Sequence, residues 1–245
     1  MTERLVAERL RVERSGKVIL RDVDVTAKTG EVLGVLGPSG AGKSTLFRAL
    51  VGEIHADQGT VLLDGTDVTR WSLWRRARAG FGYIPQTPSV LWDMTVRENL
   101  IAFQRVVHGE VKDDVEKAAK SVDLFGRLDV KAGVLSAGER RRLEFARALT
   151  RTPKVLICDE PFSGVDPVGA EKLGELLRDL ATQDVLVLLA DHHVAEALRI
   201  CTRALLLLDG AIAVMADPES FEEHPLVQGR YLGTWRRTMP PPPVA

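Results

Sequence analysis

Residues 32–51 read Val32-Leu33-Gly34-Val35-Leu36-Gly37-Pro38-Ser39-Gly40-Ala41-Gly42-Lys43-Ser44-Thr45-Leu46-Phe47-Arg48-Ala49-Leu50-Val51. An apolar run typical of a buried strand leads into a loop with the spacing Gly-x-x-x-x-Gly-Lys-Ser, and a helical pattern follows. Glycines let backbone N–H groups converge on a phosphate, and the helix N-terminus adds the positive end of its dipole. A chance glycine-rich turn is the alternative, which this strand and helix context disfavours.

The loop therefore predicts a site for a nucleoside triphosphate. We expect Lys43 to reach the β- and γ-phosphates and the Ser44 hydroxyl to bind Mg²⁺. The predicted nucleotide-binding residues of this segment are Gly37, Pro38, Ser39, Gly40, Ala41, Gly42, Lys43, Ser44 and Thr45.

A second apolar run, Val155–Cys158, ends in the acidic pair Asp159 and Glu160. In phosphoryl transfer one acid holds Mg²⁺, directly or through water, and another group orients the attacking water. We assign Asp159 to the metal and Glu160 to the general base. The alternative is an acidic strand end that caps the next turn.

The order of apolar runs and helical patterns predicts an α/β fold. Strand patterns at Leu5–Val12 and Val18–Val25 indicate an N-terminal antiparallel β portion. After Thr150, apolar strands alternate with helical patterns, which favours a parallel sheet covered on both faces. Helical spacing dominates residues 87–150 and indicates an inserted α-helical subdomain. With the phosphate loop, these features predict a P-loop NTPase core (RecA-like) with a parallel-rich sheet.

Composition excludes several classes of protein. The chain has 245 residues, of which 45% are apolar and 27% charged, as in a folded globular protein. Its net charge of −1 gives no basic field for nucleic acid. Cys158 and Cys201 are expected to be buried reduced thiols, which suits the cytosol. No apolar signal core or membrane-length run is seen, so we expect membrane contact only through partners.

A third motif lies between the first two: Leu135-Ser136-Ala137-Gly138-Glu139-Arg140-Arg141-Arg142. With this order of motifs, the chain resembles ABC ATPase subunits over about residues 1–235. The resemblance implies that Ser136, Ala137, Gly138 and Glu139 form the signature motif, which binds the γ-phosphate of ATP held by the opposite subunit. A Ser/Gly turn at a helix N-terminus is by itself an anion site, although an ordinary helix cap looks the same. Ala137 replaces a usual second glycine, and Glu139 a more common glutamine.

Other segments match the family as well. Gln86, after the strand Phe81–Ile84, resembles the Q-loop glutamine that senses Mg²⁺ and water, and Ser163 and Asp166 resemble the D-loop at the dimer interface. His192 resembles the switch histidine that contacts the γ-phosphate; His193 is the alternative. The resemblance thus implies the catalytic residues Glu160, His192, Gln86 and Lys43, and the Mg²⁺ ligands Ser44, Gln86 and Asp159.

One position departs from the family pattern. An aromatic residue usually stacks on adenine near position 14, where this chain has Arg14. A guanidinium plane can stack on a base, so Arg14 joins the predicted ATP-binding residues; a solvated hairpin arginine is the alternative. We expect weakened selectivity for adenine.

Within the family, the chain is most similar to the ATPases of lipopolysaccharide export (Lpt). Besides the signature segment, this similarity rests on four further segments: Gly82–Gln86, Asp159–Pro167, Asp191–Val194 and Tyr231–Gly233. The resemblance implies a homodimer around two ATP molecules that drives transmembrane permease subunits from the cytoplasmic face of the inner membrane. Alternatives are a branched-chain amino-acid importer subunit, a soluble ABC protein, and a non-ABC phosphate-loop kinase or GTPase.

Further expectations concern surfaces and boundaries. The apolar pair Leu91 and Trp92 is predicted to contact the permease, with packing inside the helical insertion as the alternative. Arg140–Arg142 are expected to form one solvated helix face. We predict an ABC ATPase domain over 1–235, with its α/β core at 1–86 and 151–235 and its helical subdomain at 87–150. The proline-rich tail 236–245 is predicted to be disordered.

Overall fold

The computed structural model describes residues 2–108 and 115–233, so the predicted tail 236–245 lies outside the described residues. Two sheets form its framework. The strands are β1 Glu3–Arg14, β2 Lys17–Lys28, β3 Val32–Leu36, β4 Gln58–Leu63, β5 Thr66–Asp67, β6 Phe81–Ile84, β7 Val155–Asp159, β8 Leu186–Ala190, β9 Arg203–Leu208 and β10 Ala211–Ala216.

The strand orders confirm the predicted α/β class. The first sheet is antiparallel with the order β2-β1-β4-β5. The second has the order β10-β9-β3-β8-β7-β6 and is parallel except for the pairing of β10 with β9. The sequence therefore predicted both the parallel-rich core and the antiparallel β portion, but not β10.

Helices connect and cover the strands. They are α1 Lys43–Leu50, α2 Leu73–Ala79, α3 Val96–His108, α4 Val115–Ser121, α5 Ala137–Leu149, α6 Pro167–Thr182, α7 Val194–Ile200, α8 Pro218–Glu223 and α9 Pro225–Val227. Helices α3, α4 and α5 fall inside the segment 87–150. The exact boundaries of a helical subdomain there stay a prediction.

The parallel strands are buried on both faces. Side chains along β7 alternate between two apolar clusters: Val155 and Ile157 belong to one, Leu156 and Cys158 to the other. Cys158 and Cys201 are buried free thiols, as expected. Because parallel strands end at the same edge of a sheet, β3, β6, β7 and β8 deliver their following residues to one crevice.

A buried arginine anchors the helix that follows the phosphate loop. Arg76 of α2 is 1% exposed, and its guanidinium donates hydrogen bonds to the carbonyls of Ala49, Leu50, Thr69 and Trp71 at 2.5–3.3 Å. The carbonyls of Ala49 and Leu50 lie in the last turn of α1, where carbonyl groups have few hydrogen-bond donors within the helix. Burial lowers the pKa of Arg76 to about 10.

We expect Arg76→Ala to lower the free energy of unfolding by about 3 kcal/mol, because it leaves several buried carbonyl groups without a hydrogen-bond donor. Chemical denaturation measures this loss. The neighbouring Arg75→Ala is the control: Arg75 is exposed and lies 4.0 Å from the ring centroid of Trp71, a contact worth about 1 kcal/mol or less. Equal losses in both variants would contradict the anchoring role of Arg76.

Candidate functional site

The phosphate loop has the backbone that the sequence pattern requires. Gly37 follows β3 with φ 151°, and a Cβ at this position would lie 2.2 Å from the Leu207 carbonyl oxygen, so a larger residue does not fit. Gly42 is the N-cap residue of α1 and has a φ of 108°. As a glycine it has no side chain that could accept hydrogen bonds from the N–H groups at the start of α1. The first turn of α1 contains no acidic residue. Its free N–H groups and dipole therefore form a site for an anion.

Lys43 lies across the mouth of this loop. Its Nζ donates to the carbonyl oxygens of Gly37 at 2.6 Å and Pro38 at 3.0 Å. Partial burial lowers the pKa of Lys43, and the nearby Asp159 and Glu160 oppose that effect. The ammonium group is thus placed between the loop and the acidic pair, where a phosphate chain would need a cation.

The acidic pair has two different environments. Asp159, the last residue of β7, is 2% exposed; burial raises its pKa, and a hydrogen bond with the Ser44 side chain lowers it. Glu160 has the left-handed φ of 54°, and its N–H donates to the Ala190 carbonyl at 2.7 Å. This turn directs the Glu160 carboxylate out of the sheet, whereas Asp159 stays inside it beside Ser44.

Two predicted catalytic side chains, those of Gln86 and His192, lie next to the Glu160 carboxylate. Gln86 donates from Nε2 to Glu160 Oε1 at 2.9 Å, and His192 Nδ1 lies 3.5 Å from Glu160 Oε2. His193 instead lies against the buried Asp191, with Nδ1 at 2.8 Å from Oδ1. The structure therefore places His192, and not His193, next to the predicted base.

A cavity of about 490 Å³ opens over these groups. Its lining residues come from the phosphate loop, the acidic pair, the start of α7 and the C-terminal segment: Gly37, Pro38, Ser39, Lys43, Glu160, His192, Val194, Tyr231 and Leu232. The cavity thus joins Lys43, Glu160 and His192 in one space. Sequence reasoning did not predict Tyr231 and Leu232 there, because no local pattern links the C-terminal segment to the phosphate loop.

The oxygen groups at this edge fit a magnesium ion. Ser44 and Asp159 offer a hydroxyl and a carboxylate already in contact with each other. Gln86 donates through its nitrogen to Glu160, which leaves its amide oxygen for another partner. Hard oxygen donors of this kind are those that Mg²⁺ prefers.

The signature and D-loop residues lie elsewhere in the chain. Ser136 caps α5 in a reciprocal capping box: Glu139 N–H donates to its hydroxyl at 3.2 Å, and its own N–H donates to the Glu139 carboxylate at 2.9 Å. Asp166 caps α6 through the Gly169 N–H, and Ser163 N–H donates to the Glu160 carbonyl. Neither Ser136 nor its neighbours through Glu139 line the cavity of their own chain.

The expectation that Arg140–Arg142 form a solvated face is wrong. Arg141 is 5% exposed and donates to Glu144 at 2.8 Å, the Pro85 carbonyl at 2.9 Å, and the Asp159 and Glu160 carbonyls at 3.2 and 2.5 Å. Helical periodicity turns this position inward, and the buried Glu144 balances its charge. The remaining partners are carbonyls of distant segments, which no sequence pattern reveals.

Two apolar surfaces lie near the segment after Gln86. Leu91 and Trp92 are 38% and 49% exposed, and the Arg140 guanidinium lies 5.1 Å from the Trp92 ring centroid. A groove of about 440 Å³ is lined mostly by apolar residues, among them Leu73 and Trp74 of α2 and Phe103 and Val106 of α3, and the polar residues Ser89 and Arg147 also line it. The sequence pointed to the first surface only.

Arg14 has other partners in this structure. Its guanidinium donates to the carbonyls of Glu13 at 2.6 Å and His55 at 3.2 Å and lies 3.7 Å from the Asp57 carboxylate. These contacts hold the side chain at the end of β1, beside the hairpin to β2.

Comparisons with known proteins agree with this geometry. The profile of the ABC transporter family matches residues 20–163. The lipopolysaccharide export system ATP-binding protein LptB of Acidithiobacillus ferridurans is 40% identical to this chain, over 95% of this chain and 98% of the relative. The LptB protein of Haemophilus influenzae is 37% identical, over 94% of this chain and 97% of the relative. The crystal structure of the ADP conformation of MJ1267, an ATP-binding cassette of an ABC transporter, superposes with a TM-score of 0.85 at 27% identity, covering 95% of this chain and all of that one.

The chain therefore belongs to the ABC transporter family, as an ATP-binding ATPase subunit. Both points confirm the prediction from the motifs. Within residues 2–108 and 115–233, no helix has the length and apolar character needed to cross a membrane.

The position of Arg14 leads to a prediction on base selectivity. We expect ATP and GTP to bind with affinities within about threefold of each other, since an aromatic stack on adenine, worth roughly 1–3 kcal/mol per base, is absent. Arg14→Ala should change neither affinity by more than about twofold, because its guanidinium is held by Asp57 and the His55 carbonyl. Titration with both nucleotides tests this: a strong preference for ATP would refute the expected similar affinities, and its loss in Arg14→Ala would show that Arg14 contacts the base.

Proposed function

We propose that two copies of this chain hydrolyse ATP to drive a membrane permease that exports lipopolysaccharide. The observation that carries the ATPase site is the single cavity that joins Lys43, Glu160 and His192. The cargo is supported by the names of the relatives, which are lipopolysaccharide export proteins at 35–40% identity over at least 94% of this chain. A branched-chain amino-acid importer subunit and a soluble ABC ATPase are the alternatives.

Each catalytic group acts from the place in which it lies. The N–H groups at the start of α1 and the Lys43 ammonium bind the β- and γ-phosphates. Gln86 holds the Glu160 carboxylate through a hydrogen bond, and His192 lies 3.5 Å from its other oxygen. Glu160 orients the attacking water and accepts its proton as the bond to the γ-phosphorus forms and ADP leaves.

Ser44, Asp159 and the amide oxygen of Gln86 would hold Mg²⁺. When bound there, the ion supplies positive charge that neutralises the phosphate oxygens. Asp159 suits this role because its buried carboxylate has the Ser44 hydroxyl as a neighbour. Burial and the charge of Glu160 raise its pKa, while the positive charges of Lys43 and Arg141 oppose this effect.

The second copy completes the site. Ser136, Ala137, Gly138 and Glu139 begin α5, where backbone N–H groups can bind a phosphate, and Ser136 and Ala137 are exposed. Because this helix start does not line its own cavity, we assign it to the γ-phosphate of ATP on the opposite subunit. Ser163 and Asp166 lie in the connection from Glu160 to α6 and would face the dimer interface.

The apolar groove beside Ser89 is the proposed permease dock. Trp74 and Val106 are 58% and 66% exposed, and such a contiguous apolar surface usually receives a partner. Leu91 and Trp92 do not line the groove, but both are exposed after Gln86 and form the second proposed permease contact. The chain would thereby lie on the cytoplasmic face of the inner membrane, held there by permease subunits.

We expect Glu160→Gln to lower the turnover of ATP by about 10²-fold or more, because the amide cannot accept the proton of the attacking water. ATP-bound dimer should accumulate, as seen by gel filtration with ATP, since binding groups are untouched. Glu171→Gln, an exposed change in α6, is the matched control and should leave turnover unchanged. Retained turnover in Glu160→Gln would place the base elsewhere.

Co-purification from native membranes tests the partner and the cargo. With ATP and mild detergent, tagged Glu160→Gln chain should recover two permease subunits together with a periplasmic bridge component. Recovery of amino-acid permeases with a solute-binding protein would assign the chain to import. Recovery of soluble partners alone would overturn the transporter function.

The same experiment tests the dock. Val106→Asp and Trp92→Ala should each reduce permease recovery by about fivefold or more, because buried apolar anchors dominate interfaces. Leu226→Asp changes a residue of α9 that is 41% exposed and outside the groove, and should leave recovery unchanged. Unchanged recovery with Trp92→Ala alone would mean that Trp92 only packs against Arg140.

A further inference from the structure

The C-terminal segment 225–233 folds back onto the phosphate loop. It begins with α9 and continues as a wider helical turn over Gln228–Leu232. Val227 is fully buried, and Leu232 is 8% exposed. The Gln228 side chain donates to the Glu222 carbonyl at 2.5 Å. These contacts fix the segment to the core, so the residues between them have a defined position.

Tyr231 projects from this segment into the wall of the cavity. It lines that space together with Lys43, Glu160 and His192, which are the residues proposed to meet the γ-phosphate. Burial raises the pKa of the Tyr231 phenol, and a hydrogen bond with the Gly37 backbone opposes this effect. A phenol whose pKa lies above about 10 is protonated at neutral pH.

The Tyr231 phenol carries one proton and can both accept and donate hydrogen bonds. Because it lines the same cavity as Lys43, it can offer that proton to an anion held there.

We propose that Tyr231 is a further nucleotide-binding residue, whose hydroxyl donates a hydrogen bond to a γ-phosphate oxygen of bound ATP. The assignment rests on the proposed function of the cavity and adds a ligand from outside the recognised motifs. The choice of the γ-phosphate follows from the neighbours of Tyr231, since the proposed function assigns Lys43, Glu160 and His192 to that end of the triphosphate and all three line the same cavity. A hydrogen bond to an ionised oxygen is stronger than one between neutral groups, so the loss of the hydroxyl should be measurable.

The test compares ATP with ADP. Calorimetric titration of the full chain carrying Glu160→Gln avoids hydrolysis and gives the affinity for each nucleotide. Adding Tyr231→Phe removes only the hydroxyl. We expect ATP to bind about tenfold more weakly, and ADP, which lacks the γ-phosphate, to change by less than about twofold. Unchanged ADP binding also shows that the variant keeps its fold.

Arg230→Ala is the matched control on the same segment. Arg230 does not line the cavity, and its guanidinium lies 3.9 Å from the exposed Asp209 carboxylate. It should leave both affinities unchanged. An equal loss of ATP and ADP affinity in Tyr231→Phe would mean that Tyr231 only supports the phosphate loop, and this overturns the proposal.

The remaining outcomes are also decisive. No change in ATP affinity with Tyr231→Phe, in a parent chain that binds ATP, overturns the Tyr231 assignment and leaves the proposed function standing. The same ATP-specific loss in Arg230→Ala overturns it too, because the effect would then belong to the segment and not to the hydroxyl. A parent chain that does not bind ATP overturns the proposed function and this assignment together.

Discussion

The buried guanidinium of Arg141 is the interaction on which the geometry of the site depends. It lies in α5, where it pairs with the Glu144 carboxylate of the same helix, and three of its contacts fix other parts: the Pro85 carbonyl before Gln86 and the carbonyls of Asp159 and Glu160. A buried arginine costs desolvation energy unless it is paired and its donors are used. Here both conditions hold. One side chain thereby sets the position of the helical segment 87–150 relative to the sheet edge that carries the predicted base.

The sheet imposes the second constraint. Strands β7 and β8 run side by side and pair Asp159 with Ala190, so Glu160 and Asp191 leave adjacent strands at the same level. The Glu160 N–H then bonds to the Ala190 carbonyl, and the Asp191 carboxylate accepts the N–H groups of Phe162 at 3.0 Å and His193 at 2.9 Å. These bonds connect the turn after β7 to the turn after β8. The short distance from Glu160 to His192 is therefore a result of strand register and not of a direct strong bond, since those atoms are 3.5 Å apart.

Sequence patterns predicted the parts of the fold in which one local signal is sufficient. The strand before the acids was predicted as Val155–Cys158 and is Val155–Asp159, because an apolar run of this length is too short for a helix and favours a buried strand. Strand β10 was missed because Ala211–Ala216 lacks polar alternation, although the two-residue turn Asp209-Gly210 before it is typical of a hairpin. Arg141 and Tyr231 were missed for a different reason. Their roles depend on carbonyls and N–H groups far away in the chain, and a helical or charge pattern contains no information on such partners.

The same network joins the apolar groove to the predicted base. Ser89 lines the groove, and its N–H and hydroxyl donate to Glu144 Oε1 at 2.6 and 3.1 Å. Arg147, also in the groove, donates to the Ser89 carbonyl at 2.6 Å. The other oxygen of Glu144 accepts from Arg141, which in turn binds the Glu160 carbonyl. A partner that displaces Ser89 must break these short bonds or move Glu144 and Arg141 with it, because buried charges cannot be left unpaired at low cost. The groove proposed as the permease dock is thus connected to the backbone of Glu160 through two buried side chains, Glu144 and Arg141.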